Sequence, residues 1–141
     1  MNLEIIKELD KKVIESLNND EIPIGAVIFD KNHNIIASAS NNRQKECNVL
    51  GHAEINAIIK AEKKIKDWRL DGYSMIVNLE PCDMCSIIIK ESRIDKIYYF
   101  LGNNHVNNYT DINKQKIDGS DYKEYEEKYK EILSDYFKNK R

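Results

Sequence analysis

Only three cysteines, two prolines, five glycines and one tryptophan occur among the 141 residues. Three cysteines cannot build a four-cysteine structural zinc site, and so few argue for a reducing cytoplasm. No Gly/Ser-rich stretch separates parts of the chain and no segment repeats another, so residues 1–141 read as a single domain. No apolar run approaches the roughly 20 residues of a membrane-spanning helix. The start, Met1-Asn2-Leu3-Glu4, has neither the basic nor the apolar region of a signal peptide. The formal net charge is only −2, which excludes a global basic field for nucleic acid and leaves room for a local patch. What is present is an ordinary globular balance, 41% hydrophobic and 33% charged, in a chain long enough to bury a core.

Against that background one constellation stands out. Cys82 and Cys85 have the C-x-x-C spacing with which one turn offers two thiolates to a metal, and His52 can supply a third ligand. Three protein ligands leave one tetrahedral position of zinc for water, the mark of a catalytic site. Glu54, two residues beyond His52, reaches that water without needing to bind the metal. Two plainer readings compete. A redox pair would need neither His52 nor Glu54, and a closed Cys3His site would recruit Cys47 and leave Glu54 without a role.

The remaining chain alternates helix and strand. Leu3, Ile6, Leu9, Val13 and Leu17 recur at helical spacing, with Asn2 as a cap. Residues 22–29 form an apolar, β-branched run with Pro23 near its start, and a turn at 30–34 returns the chain as a second strand over Ile35 to Ser40. His33 sits on that turn and is expected to be solvated. His52 opens a helix that contains Ile55, Ala57, Ile58 and Ala61. Tyr73 to Leu79 is a third strand. Pro81 is placed in the first turn of the next helix, with Cys82 and Cys85 on one face of it. A fourth strand spans about Lys96 to Leu101.

Residues 103–116 show no clear pattern, and His105 within them reads as a loop histidine. Ser120 to Glu124 resembles a capping box, ahead of a helix with a stripe of Tyr122, Tyr125, Tyr129 and Leu133 that suits core packing. At the end, Tyr136 and Phe137 beside Lys138, Lys140 and Arg141 suit either packing or RNA contact. Glu80 either orients the Cys82 turn or makes a surface ion pair. The order α, β, β, α, β, α, β, α predicts a three-layer α/β/α domain around a mixed central sheet, with both metal half-sites at helix N-termini.

The pattern H-x-E followed by P-C-x-x-C is the signature of zinc nucleobase deaminases. The chain resembles the cytidine deaminase superfamily and, within it, the bacterial tRNA-specific adenosine deaminases. Besides the metal motifs, the likeness is carried by residues 22–27, Asn41 with Arg43, Asp67-Trp68-Arg69-Leu70, Leu79-Glu80-Pro81-Cys82, Ser92-Arg93-Ile94 and Leu133-Ser134-Asp135-Tyr136-Phe137. The resemblance implies a zinc-dependent hydrolytic deaminase that converts adenosine to inosine at the wobble position of a tRNA anticodon. Zinc would be held by His52, Cys82 and Cys85, Glu54 would shuttle protons, and Asn41 would contact the flipped base. It further implies a homodimer with tRNA as its partner in a cytoplasmic setting. Two segments depart from the family pattern, both plausible shapers of the substrate pocket. Asn48-Val49-Leu50-Gly51 replaces the usual Asp-Pro-Thr-Ala, and Asn103 to Asn108 replaces a Gly/Ser-rich stretch. The rival functions are deamination of a free base, nucleoside or nucleotide, and a catalytically silent partner subunit, against which Glu54 argues.

Overall fold

A computed structural model describes residues 1–139. The elements run α1 (Leu3–Asn18), β1 (Gly25–Phe29), β2 (Ile35–Ser40), α2 (Ala53–Ile65), β3 (Ser74–Leu79), α3 (Asp83–Glu91), β4 (Lys96–Leu101), β5 (Lys114–Lys116) and α4 (Lys123–Asn139). The strands form one sheet in the order β2-β1-β3-β4-β5. β1 pairs antiparallel with both β2 and β3, while β3, β4 and β5 are mutually parallel, so the sheet is mixed.

Strand periodicity divides the core between the two faces of this sheet. Ala26 and Ile28 of β1 and Met75 and Val77 of β3 point toward α2 and α3, where Ala57, Ile58, Ala61 and Ile89 meet them. Val27, Phe29 and Ile76 point the other way, toward Ile5, Leu9 and Val13 of α1 and Tyr129 and Leu133 of α4. Helices therefore cover both faces, and the three expected layers are present. The tyrosine stripe behaves as packing over most of its length. Tyr129 is buried edge-on against Phe100 with ring centroids 5.4 Å apart, and its hydroxyl donates to Asp10 at 3.0 Å.

Several local expectations are corrected. β1 starts at Gly25 instead of Ile22, because side chains replace the ladder before it. Asn78 accepts from Gly25 N–H at 3.0 Å and donates to Pro23 carbonyl at 2.9 Å, and Ser16 donates to Ile24 carbonyl at 2.7 Å. A Cβ on Gly25 would lie 2.8 Å from Lys12 Cβ and 2.9 Å from Val13 N, so the close approach of α1 requires glycine there. The Ser120 capping box does not form. Ser120 Oγ donates to Asp118 instead, and Tyr122 takes a left-handed φ of 54° just before α4. β5 is a strand with no apolar signature, Lys-Gln-Lys, held by backbone pairing of Ile97 to Tyr99 with residues 114–116.

Candidate metal and deaminase centre

α2 and α3 bring their N-termini together beside the carboxyl end of β3, the usual place for a site in an α/β sheet. His52 is the N-cap of α2 in extended conformation (φ −88°, ψ 145°), and Cys82 is the N-cap of α3 (φ −67°, ψ 170°). Pro81 therefore lies before the N-cap instead of inside the first turn, and Cys82 faces Cys85 as a cap faces the first turn. The Cys82 sulfur accepts from Cys85 N–H at 3.5 Å. Two helix N-termini converge here, and their dipoles favour negative ligand groups.

The donor set fits a tetrahedral metal. One ligand atom each of His52, Cys82 and Cys85 lies within 4.8 Å of the others. His52 Nδ1 stands 3.4 Å from Cys85 Sγ and 3.9 Å from Cys82 Sγ. Tetrahedral zinc with its usual bond lengths separates a sulfur from a nitrogen by ~3.6 Å. The hydrogen bond with Cys85 pulls the pKa of Cys82 down to about 4, helped by His52 and opposed by burial. The same bond, with burial, pushes Cys85 far up. His52 is raised, chiefly by its bond with Cys82. Two thiolates this close repel, and a divalent cation between them removes that penalty. Cys47 is exposed, with its sulfur 3.7 Å from Gln44 carbonyl, and stands outside the group of three.

Glu54, in the first turn of α2, is 3% exposed, and burial raises its pKa to about 7. The nearby Cys82 adds to the rise and His52 opposes it. Its Oε1 is buried with no hydrogen-bond partner among the described residues. A buried carboxylate oxygen without a partner is costly, which marks it as a group awaiting a ligand or a proton.

His52, Glu54 and Cys82 line a cavity of about 980 Å³ together with Ile22, Leu79, Leu101, Leu133 and Phe137. The unpatterned segment after β4 supplies another wall through Asn103, Asn104 and His105, so His105 is a cavity residue. That wall is pinned. Glu80 accepts from Asn103 N–H at 3.1 Å and pairs with Lys114, while Asp83 accepts from Asn107 N–H at 3.0 Å. Glu80 thus ties two loops together from a largely buried position. Lys116 and Lys130 complete the lining. Apart from Lys130 on α4, these polar wall residues come from segments without periodicity, and only their charge and hydrogen-bonding capacity could have flagged them.

Asn41 is buried and its side chain is engaged. Its Oδ1 accepts from Ala53 N–H at 2.7 Å and its Nδ2 donates to Ile22 carbonyl at 3.2 Å. It thereby holds the N-terminus of α2 between His52 and Glu54. It also lines a separate polar pocket of about 340 Å³ with Glu21, whose buried carboxylate accepts from Gln44 and Lys45 N–H at 3.1 and 3.0 Å. Gly51 closes the intervening loop, where a Cβ would meet Arg43 N at 2.7 Å.

A family model described as the cytidine and deoxycytidylate deaminase zinc-binding region matches residues 3–101. A Rickettsia felis protein named tRNA-specific adenosine deaminase is 42% identical over 85 residues, which cover 60% of this chain and 59% of that protein. A Bacillus subtilis protein of the same name is 39% identical over 94 residues, 67% of this chain and 58% of that one. The matched part thus spans less than two thirds of either relative. A solved structure from a study of A-to-I editing by tRNA:A34 deaminases superposes with a TM-score of 0.72 at 25% identity, covering 81% of this chain and 97% of that one.

Proposed function

The chain belongs to the cytidine and deoxycytidylate deaminase zinc-binding family, and from that premise we propose that it hydrolyses adenosine to inosine at the wobble position of a tRNA anticodon. The observation that carries the reading is the buried, unpartnered Glu54 oxygen beside a His-Cys-Cys cluster, at the base of a cavity wide enough for a splayed-out nucleotide. The names of the relatives support the choice of substrate.

In this proposal His52, Cys82 and Cys85 hold zinc. When bound, zinc supplies a water ionised near neutral pH. Glu54 takes one proton from the attacking water and delivers it to N1 of the adenine ring as the oxygen bonds C6; it then carries the second proton, from that hydroxyl, to the amine, which leaves as ammonia as the C6–N bond breaks. Atoms balance as adenosine plus water giving inosine plus ammonia. Glu54, buried in the cavity beside His52 and Cys82, stands where it can both accept and donate a proton. The apolar lining from Ile22, Ile24, Leu79 and Leu101 limits bulk water around the reacting base. Asn41 is the proposed base contact, a role that requires its amide to exchange its bond to the Ile22 carbonyl or to Ala53 N–H for one to the base.

No helix among the described residues is long and apolar enough to cross a membrane. The proposed setting is the cytoplasm, where tRNA is at hand and the thiols stay reduced. The proposed assembly is a homodimer. Ile59 on α2, Ile87 on α3 and the Val49-Leu50 pair ahead of α2 expose apolar side chains that a second copy could cover.

The test is to incubate zinc-loaded protein separately with total tRNA and with free nucleosides and bases, and to measure inosine and ammonia. Inosine within tRNA and matching ammonia are expected. Ammonia from the small molecules alone would replace this reading with a free-nucleoside or free-base deaminase.

A further inference from the structure

The cavity carries charge that the chemistry at its base does not use. Outside the His-Cys-Cys-Glu group its charged side chains are Glu80, Lys116 and Lys130, and Glu80 is neutralised from behind by Lys114. The carboxylates near the two lysines are Glu126, which faces both, and the exposed Asp118, which lies within electrostatic reach of Lys116. Lys116 Nζ donates to Glu126 Oε1 at 2.8 Å, and Lys130 Nζ stands 4.0 Å from Glu126 Oε2. The Glu126 side chain is only 13% exposed, whereas those of Lys116 and Lys130 are 49% and 65% exposed. The carboxylate is thus seated in the protein and both ammonium groups reach solvent. β5 supplies one lysine and α4 the other, so the placement depends on the fold and not on a run of basic sequence. Phe137, half-exposed on α4, offers an aromatic face on the same cavity.

An uncharged base would give these lysines nothing to bind. The cavity volume sits at the upper end of ligand pockets and exceeds what a base alone fills. We infer that Lys116 and Lys130, oriented by Glu126, form a phosphate seat at the mouth of the cavity. It binds the backbone phosphate of the nucleotide whose base enters. This rests on the deaminase reading above and adds which side chains hold the phosphate of the nucleotide whose base enters. It also moves the principal phosphate contact inward from the C-terminal basic residues. Of those, Lys138 is exposed and does not line the cavity, and Lys140 and Arg141 lie outside the described residues.

The inference makes paired predictions of opposite sign. Replacing either lysine with methionine removes a cation and should weaken binding of a short RNA stem-loop with adenosine in its loop. The slope of log affinity against log salt should become shallower by about 0.7–0.9 per lysine. The Lys116→Met/Lys130→Met double variant should lose about tenfold or more in affinity at low salt. Glu126→Gln keeps the shape and removes the opposing anion, so RNA affinity should rise by roughly two- to fivefold. A purely structural role for Glu126 would instead weaken binding.

The experiment measures affinity of zinc-loaded parent and variants for the stem-loop, AMP and adenosine across a salt series, with zinc content as the check on folding. Loss in the lysine variants with gain in Glu126→Gln supports the seat. If AMP shows these responses and RNA is not bound, the seat stands and the tRNA reading fails. If RNA is bound and deaminated but all variants match the parent, the seat is overturned and the tRNA reading stands. If the parent binds adenosine as tightly as AMP and RNA, the seat is overturned and the case for a nucleic-acid substrate falls with it.

Discussion

Glu54→Ala is expected to keep its zinc and its fold and to lose a factor of about 10²–10⁴ in turnover, the usual worth of a positioned general acid–base group. The loss should approach the upper end, because one carboxylate serves several proton transfers in the proposed reaction. Stability should not suffer, since Glu54 is 3% exposed and its Oε1 has no partner among the described residues. Removing a buried carboxylate that makes few bonds relieves a desolvation cost. Glu54→Gln is the matching control for shape, because it fills the same space and cannot shuttle a proton. Steady-state turnover, metal analysis and thermal melting separate these effects. Turnover within tenfold of the parent in both variants would remove Glu54 from the chemistry.

Cys85→Ala and Cys82→Ala should each lose zinc and stability together, because a metal that binds the folded chain adds its binding energy to folding. At zinc about a thousandfold above its dissociation constant, that linkage is worth about 4 kcal/mol. Zinc should therefore raise the melting temperature of the parent and leave that of each variant unmoved. Cys82→Ala should be the more damaging, since it also removes the sulfur that accepts from Cys85 N–H at the start of α3. Full zinc occupancy in either variant would contradict the ligand set.

The grouping of His52, Cys82 and Cys85 with Glu54 nearby was legible in the sequence because a metal ligand set and a proton carrier call for particular residue types at short spacing. The two half-sites, His52 to Glu54 and Cys82 to Cys85, lie about thirty residues apart, yet each is complete in itself. The layered fold was legible for a similar reason, since α1, β1, β3 and the helix of Ile55 to Ala61 carry strong apolar periods. What escaped were features made by polar residues across long separations. Asn78 replaces ladder bonds at Pro23 and Gly25 more than fifty residues away, and no local signal announces that. β5 is Lys-Gln-Lys, an edge strand defined by its neighbour and not by its own composition. The segment that carries the wall residues is held at Asn103 by Glu80 and at Asn107 by Asp83, both of which precede β4 in the chain. Ser120 looked like a cap because its hydroxyl could serve as one, but Asp118 is nearer and takes it.

The most direct measurement is reverse transcription and sequencing of total tRNA after incubation with zinc-loaded protein, with Glu54→Gln run in parallel. Inosine is copied as guanosine, so a deaminase acting on tRNA should produce an adenosine-to-guanosine change at the wobble position with the parent and none with the variant. Unchanged tRNA reads from active, zinc-loaded protein that releases ammonia from a free base or nucleoside would contradict the assignment of tRNA as its substrate.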